Sequence, residues 1–324
     1  AEMLSELLGE LNVSHTGSGA RASSSAFPTA ELGVFVSPVA GSGALHVDEV
    51  VAGGPFDNSR TKLQKGSLIT AIDGEKLEAG KDYFPLLNDK VGKRLLVSFR
   101  TASGEQVDEV IRPISSSALN DLLYKRWVKQ RAEEVERVSK GTLGYVHIPS
   151  MGDPSFRTVY SDVMGKYYQK KGIVIDIRYN GGGRLHEDIE AFFTGKHYAD
   201  QVVRDRQYSE MSSRRWNRPS VLVTCEADYS NAHGTPWVYQ HLKVGKVVGM
   251  PVAGTMTSVN WVTLLDPSVY FGIPAVGFRL FDGRYLENTQ MEPDVVVPLD
   301  PTKVLQGVDT QIEKAVEVLR AETK

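Results

Sequence analysis

The spacing of apolar positions changes along the chain. In residues 2–11, Met3, Leu4, Leu7, Leu8 and Leu11 fall on one helical stripe. Ser14-His15-Thr16-Gly17-Ser18-Gly19 and the Ser-rich stretch to Ser25 then predict a loop. From Glu31 the spacing becomes strand-like. Residues 33–36 and 45–50 read as strands, 63–74 as a turn, a short buried strand and an Asp-Gly turn, and 83–87 as a short helix. Residues 95–100 and 105–111 complete a hairpin across Ser103-Gly104. Ser115-Ser116-Ser117 is a polar break that starts a long helix to Ser139, ended by Gly141. Strands and helices then alternate: strand 143–148, helix 156–169, buried strand 172–177, helix 185–193, strand 220–225, helix 232–242 and strand 247–249. Two β-rich segments follow to Val297, and residues 306–321 form a closing helix. The βαβα order predicts a layered α/β domain.

A chain of 324 residues suits two or three domains, with 41% apolar residues to build their cores. The predicted division is a short N-terminal helical segment over 1–30, a compact β-rich domain over 31–114 and the α/β domain over 115–324. Lys plus Arg is 37 against 40 for Asp plus Glu, which argues against nucleic-acid binding by overall charge. The lone Cys225 excludes an intrachain disulfide framework. The longest apolar stretches, such as Gly172-Ile173-Val174-Ile175, are far short of the roughly 20 residues a membrane span needs. Ala1-Glu2-Met3-Leu4 has no basic region or long apolar run, so no signal peptide is expected in these residues.

Four segments carry candidate chemistry. Asp176-Ile177-Arg178-Tyr179-Asn180-Gly181-Gly182-Gly183 joins a buried strand to a helix. Its glycines suit a phosphate cradle, an oxyanion hole or merely a tight turn, and neither nucleotide-binding glycine motif is present. Ser230 ends Thr224-Cys225-Glu226-Ala227-Asp228-Tyr229-Ser230 at a strand-to-helix junction, the place of a nucleophile and equally of an N-cap. Ser14-His15 offers a base in a polar loop. Glu287 offers a carboxylate to orient it, or is a solvated surface residue. No His/Cys pattern indicates a metal site, and Cys225 within an apolar strand reads as inert.

In order along the chain, these segments resemble the tricorn-like and C-terminal processing peptidases, peptidase family S41. The likeness rests on Asn12 to His15 ("NxSH"), Asp176 to Gly183 ("DxRxNGGG"), Thr224 to Ser230 ("TxExxxS") and Glu287 to Asp294 ("ENxxxxPD"), with a PDZ-like module between the first two, most recognisable over 63–74. The resemblance implies a crotonase-like α/β catalytic domain and a serine peptidase acting through a Ser–His–Ser–Glu tetrad. Ser230 would be the nucleophile, His15 the base, Ser14 the bridge and Glu287 the orienting carboxylate. The N–H groups of Gly183 and Asn231 would form the oxyanion hole, with Gly182 as the substitute glycine; Asn231 stands where tricorn-like enzymes have Asp. Asp200 would select basic side chains at the residue before the cleaved bond. Peptides or unfolded chains as substrates, no cofactor, a homo-oligomer and a cytoplasmic location are implied, with a periplasmic one as the alternative. One rival reading is a PDZ-containing peptide-binding protein on an inactive protease scaffold; a second is an acyl-transfer enzyme of crotonase type, against which the PDZ-like insert argues.

Overall fold

The computed structural model describes residues 2–21 and 28–323. Part of the Ser-rich stretch, residues 22–27, lies outside them. The chain divides into two compact units, Ser23–Lys129 and the pairing of Ala1–Ala22 with Gln130–Lys324.

The chain opens with helix α1 (Glu2–Gly9) and strand β1 (Gly17–Ala20). The first unit to follow contains β2 (Val34–Pro38), β3 (Leu45–Val50), β4 (Leu68–Ile72), β5 (Glu75–Lys76), β6 (Leu95–Arg100) and β7 (Gln106–Ile111). The strands run in the order β2-β3-β4-β6-β7, with β5 paired to β4. A 3₁₀ turn spans Phe84–Leu87. The unit has its own core, including Val47, Phe56, Leu63, Ile69, Ile72, Val97 and Phe99. Helix α2 (Ser116–Ser139) follows, started by Ser115 Oγ, which accepts the Ala118 N–H at 3.1 Å.

The larger unit is built on β8 (Leu143–His147), α3 (Asp153–Ser161), β9 (Gly172–Asp176), α4 (His186–Phe193), the hairpin β10 (Ala199–Val203) and β11 (Arg206–Met211), β12 (Ser220–Thr224), α5 (Asn231–His241) and β13 (Lys246–Gly249). Strands β14 (Thr257–Thr263) and β15 (Val269–Gly277), the short β16 (Val295–Val296), and helices α6 (Pro301–Leu305) and α7 (Thr310–Glu322) complete it. The main sheet is parallel, in the order β16-β13-β12-β9-β8.

Because side chains alternate across a strand, a parallel sheet needs cover on both faces. Ile173, Ile175, Leu222 and Val247 join one core with Val159, Ile189, Phe192 and Tyr239. The intervening Val174, Val221 and Val223 are also buried, and α7 packs against β9, β12 and β13. The carboxyl ends of the neighbouring strands β9 and β12 therefore emerge side by side, and crevices at such ends hold ligands in α/β sheets. A separate antiparallel sheet, β1-β15-β14, sets β1 against β15, with Gly17 opposite Gly272.

Four local expectations differ from the structure. Part of the predicted N-terminal loop is the strand β1. The helix expected over 156–169 stops at Ser161, where a π turn takes over Asp162–Lys166. The closing helix expected over 306–321 starts at Thr310, after a separate short helix α6; each is capped by an aspartate, Asp300 accepting from Thr302 and Lys303 and Asp309 from Gln311 and Ile312. The hairpin β10–β11 is unforeseen. No helix among the described residues is long and apolar enough to cross a membrane.

Candidate functional site

The loop after β9 is shaped by buried polar residues. Asp176 and Arg178 are buried, and Arg178 donates to Asp176 (2.6 Å), to Asp309 at the start of α7 (2.9 Å) and to Gln311 (2.9 Å). Asn180 Nδ2 donates to the Ile148 carbonyl at 2.8 Å, and Asn180 Oδ1 accepts the Gly182 N–H at 2.8 Å. Asp176, Arg178 and Asn180 therefore hold the loop. The N–H of Gly182 is occupied, whereas that of Gly183 has no partner among the described residues. Met151 N donates to the Gly182 carbonyl and Arg184 N to the Met151 carbonyl, so the Gly183 N–H faces the other way.

The loop after β12 ends at Ser230, with φ 58° and ψ −120°, immediately before α5. A non-glycine residue there is strained, and such strain marks functional turns. The turn is held by Ser230 N donating to Thr255 Oγ1 at 2.8 Å and Tyr229 N to the Asn180 carbonyl at 2.9 Å. Asp228 accepts from Cys225 N at 3.0 Å and Asn180 N at 3.3 Å, joining the two loops. Burial pushes the Asp228 carboxyl up to about 8 and the Cys225 thiol up to about 12, so Cys225 is not a thiolate at neutral pH.

The strand β1 and Asn288 bring the third and fourth segments together. Asn288 Nδ2 donates to the Asn12 carbonyl at 2.9 Å. Ser14 Oγ donates to Glu287 Oε2 at 3.0 Å, and Ser14 N to Glu287 Oε1 at 2.5 Å. Ser14 Oγ lies 2.7 Å from His15 Nδ1, and Thr257 Oγ1 is 3.2 Å from both. His15 N donates to Tyr229 Oη at 2.8 Å, and the two rings stand 4.7 Å apart.

The contacts fix the proton on His15. An ionised carboxylate only accepts, so the single Ser14 hydroxyl proton goes to Glu287. Ser14 Oγ must then accept from His15 Nδ1–H, which leaves Nε2 with a free lone pair. Burial lowers the His15 pKa from the ordinary histidine value, while Glu287 pulls it back up.

His15, Gly183, Ser230 and Asn231 line one cleft of about 550 Å³, with Arg184, His186 and Glu187 on its polar side and Met256, Val259, Val276 and Phe278 among its apolar residues. His15 and Ser230 share this cleft without a hydrogen bond between them; such contacts often close only on substrate binding. The Asn231 N–H, at the start of α5, also has no partner among the described residues.

Asp200 is not among the residues lining this cleft. It is exposed on β10, with its carboxylate held by His197 and Gln207, both at 2.8 Å. His233, three residues after Ser230, is fully buried and bonded through Nε2 to the Thr289 carbonyl at 3.0 Å. The sequence assigns no role to Thr255, Thr257, Tyr229 or His186, because single hydroxyls and rings with no distinctive spacing carry no signal. Among the described residues no group of three or more His, Cys, Asp and Glu is placed to hold a metal ion.

The family model for peptidase family S41 matches residues 142–297. The tricorn protease of Thermoplasma acidophilum is 27% identical over 261 residues, covering 80% of this chain and 24% of the relative. A tricorn protease homolog of Saccharolobus solfataricus is 26% identical, covering 82% of this chain and 24% of its own length. The chain thus spans about a quarter of these curated relatives. The crystal structure of the tricorn protease superposes with a TM-score of 0.81 at 23% identity, over 97% of this chain and 31% of that one, a likeness of mixed α/β fold.

Proposed function

We propose, from the premise that this chain carries a tricorn-like peptidase family S41 core, that it is a serine peptidase cutting peptides or unfolded polypeptides through an acyl-enzyme. The observation that carries this reading is the Glu287–Ser14–His15 chain of 3.0 and 2.7 Å contacts, ending in the cleft that Ser230 also lines.

Ser230 Oγ attacks the substrate carbonyl while His15 Nε2 takes its proton. The imidazolium so formed is stabilised by Glu287 through Ser14. The tetrahedral oxyanion is held by the N–H groups of Gly183 and Asn231, each worth roughly 3 kcal/mol in such sites. His15 returns its proton to the leaving amine as the C–N bond breaks. Water, deprotonated by His15, then adds to the acyl carbon, and Ser230 leaves with its proton restored. The occupied Gly182 N–H supports Gly183 as the donor. An Asn231 side chain in place of Asp leaves its backbone donor intact.

The β-rich unit is read as a PDZ-like domain that presents polypeptide segments, and the three-layered unit as crotonase-like. Homo-oligomeric assembly follows the same resemblance. Labelling with a fluorophosphonate tests the reading. A covalent adduct should form on the wild-type chain and be absent from Ser230→Ala, which should also lose turnover of fluorogenic peptides while keeping its thermal stability within about 1 kcal/mol. A wild-type chain that takes no label and cleaves nothing, while binding peptides, is the inactive scaffold instead.

A further inference from the structure

His186, the first residue of α4, lines the cleft beside Arg184, Ser230 and Asn231. Its Nδ1 lies 2.7 Å from the side-chain nitrogen of Asn231. What else that amide does fixes its orientation. Asn231 Oδ1 accepts the N–H of Leu185 at 2.9 Å and of His186 at 3.2 Å. The group turned toward the imidazole is therefore the NH₂, which only donates. His186 Nδ1 must be the bare nitrogen, and the ring proton sits on Nε2.

This is the reverse of His15, whose Nδ1 donates to Ser14 and whose Nε2 is bare. One cleft thus holds two imidazoles in opposite tautomers, one offering a lone pair and the other an N–H. His186 cannot serve as a competing base while its bare nitrogen is taken by Asn231, and its remaining polar atom is a donor. Arg184 lines the same cleft, and its guanidinium has no partner among the described residues. Glu187, of opposite charge, also lines it. Selection there rests on hydrogen-bond donors more than on net charge.

We propose that His186, held as an Nε2–H donor by Asn231, is a specificity-determining residue that, with Arg184, selects peptides bearing a side-chain oxygen acceptor (Gln, Asn, Glu or Asp) at a residue flanking the cleaved bond. A site built around a donor discriminates against substrates lacking the acceptor, because the donor then loses its water without gaining a partner. This inference rests on the serine-peptidase reading, and its tests separate the two.

The first test needs no turnover. Nitrogen-15 NMR of the histidine-labelled full chain should find the His186 proton on Nε2 and the His15 proton on Nδ1. Asn231→Asp, which substitutes an acceptor for the donor, should move the His186 proton to Nδ1. A wild-type His186 protonated on Nδ1 alone overturns the proposal. The second test compares kcat/KM for fluorogenic peptides differing only in Gln or Leu at each flanking position. His186→Phe should lose about tenfold or more on a Gln peptide and little on its Leu counterpart, and His186→Gln, which keeps an N–H donor, should recover most of the loss. Equal losses on both peptides, or no recovery in His186→Gln, overturn the proposal and leave the peptidase reading standing. No turnover of any peptide by the wild-type chain overturns the peptidase reading and the selectivity with it.

Discussion

The proton on His15 is settled by Ser14 Oγ and the Glu287 carboxylate behind it, and burial and that carboxylate have consequences for pH dependence. In the proposed mechanism His15 works as the base only while Nε2 is bare. Burial depresses the His15 pKa, so the acid limb of kcat/KM should lie below the ordinary histidine value of about 6.5. Glu287 acts in the opposite direction, favouring the protonated ring. Glu287→Gln removes that influence, so the acid limb should move further down. In the same variant kcat should fall by roughly 10²–10⁴-fold, because the imidazolium formed during attack loses its carboxylate. A pH–rate profile of both proteins measures both effects. An unchanged limb and an unchanged kcat would make Glu287 a surface carboxylate. Ser14, His15, Ser230 and Glu287 were legible in the sequence through their short motifs taken together. Their surroundings were not: Thr257 lies 243 positions from Ser14, and nothing in the sequence near either residue announces the contact.

At the scale of elements, legibility followed burial. Strands β9 and β12, whose five residues are all buried, stood out as apolar runs. The hairpin β10–β11 did not, because β10 is exposed along its whole length and has no apolar face to betray a period of two. Strand β1 was hidden for another reason: Gly-Ser-Gly-Ala offers no large apolar side chains to pattern. Its composition has a packing cause, since a Cβ on Gly19 would lie 2.4 Å from Tyr270 Oη. The glycine-rich loop has a similar one. Gly182 has φ +99°, and a Cβ there would meet Ser230 Cβ at 2.6 Å and the Tyr229 carbonyl oxygen at 2.8 Å. Gly182→Ala should therefore strain the loop, cost about 1–3 kcal/mol of stability and displace Ser230. The expected outcome is a folded chain with a lowered melting temperature and a kcat reduced more than its KM is raised. Thermal melts and steady-state kinetics on the purified variant check both.

At the scale of the whole molecule, the glycine-rich loop answers to the far end of the chain. Arg178 is the hub: it spans Asp176 at the end of β9 and Asp309 at the cap of α7, and Tyr145 on β8 donates to Asp176 at 2.9 Å. Glu134 near the end of α2 accepts the Asp309 N–H at 2.8 Å, so α2, β8 and β9 meet the distant α7 at this network. Burial pushes the Asp176 carboxyl up, but Arg178 outweighs it by charge and hydrogen bonds and leaves Asp176 below the usual carboxylate range. Removing the guanidinium reverses that balance. Arg178→Met leaves Asp176 buried without its cation and leaves Asp309 only Arg131 at 3.6 Å, a kind of loss that costs about 3–5 kcal/mol. The sign of the pH dependence follows. In the wild type Asp176 contributes stability above its unfolded pKa of about 3.9, lost as pH falls through its lower folded value. In the variant its folded pKa rises above the unfolded one, so stability is lost as pH rises. The deficit in melting temperature should therefore be larger at pH 8 than at pH 5. Even where Arg178→Met stays folded at pH 5, it should lose peptide turnover, because the loop that aims the Gly183 N–H is no longer tied to α7. A deficit independent of pH, or full activity in the folded variant, would make Arg178 a packing residue without control of the loop.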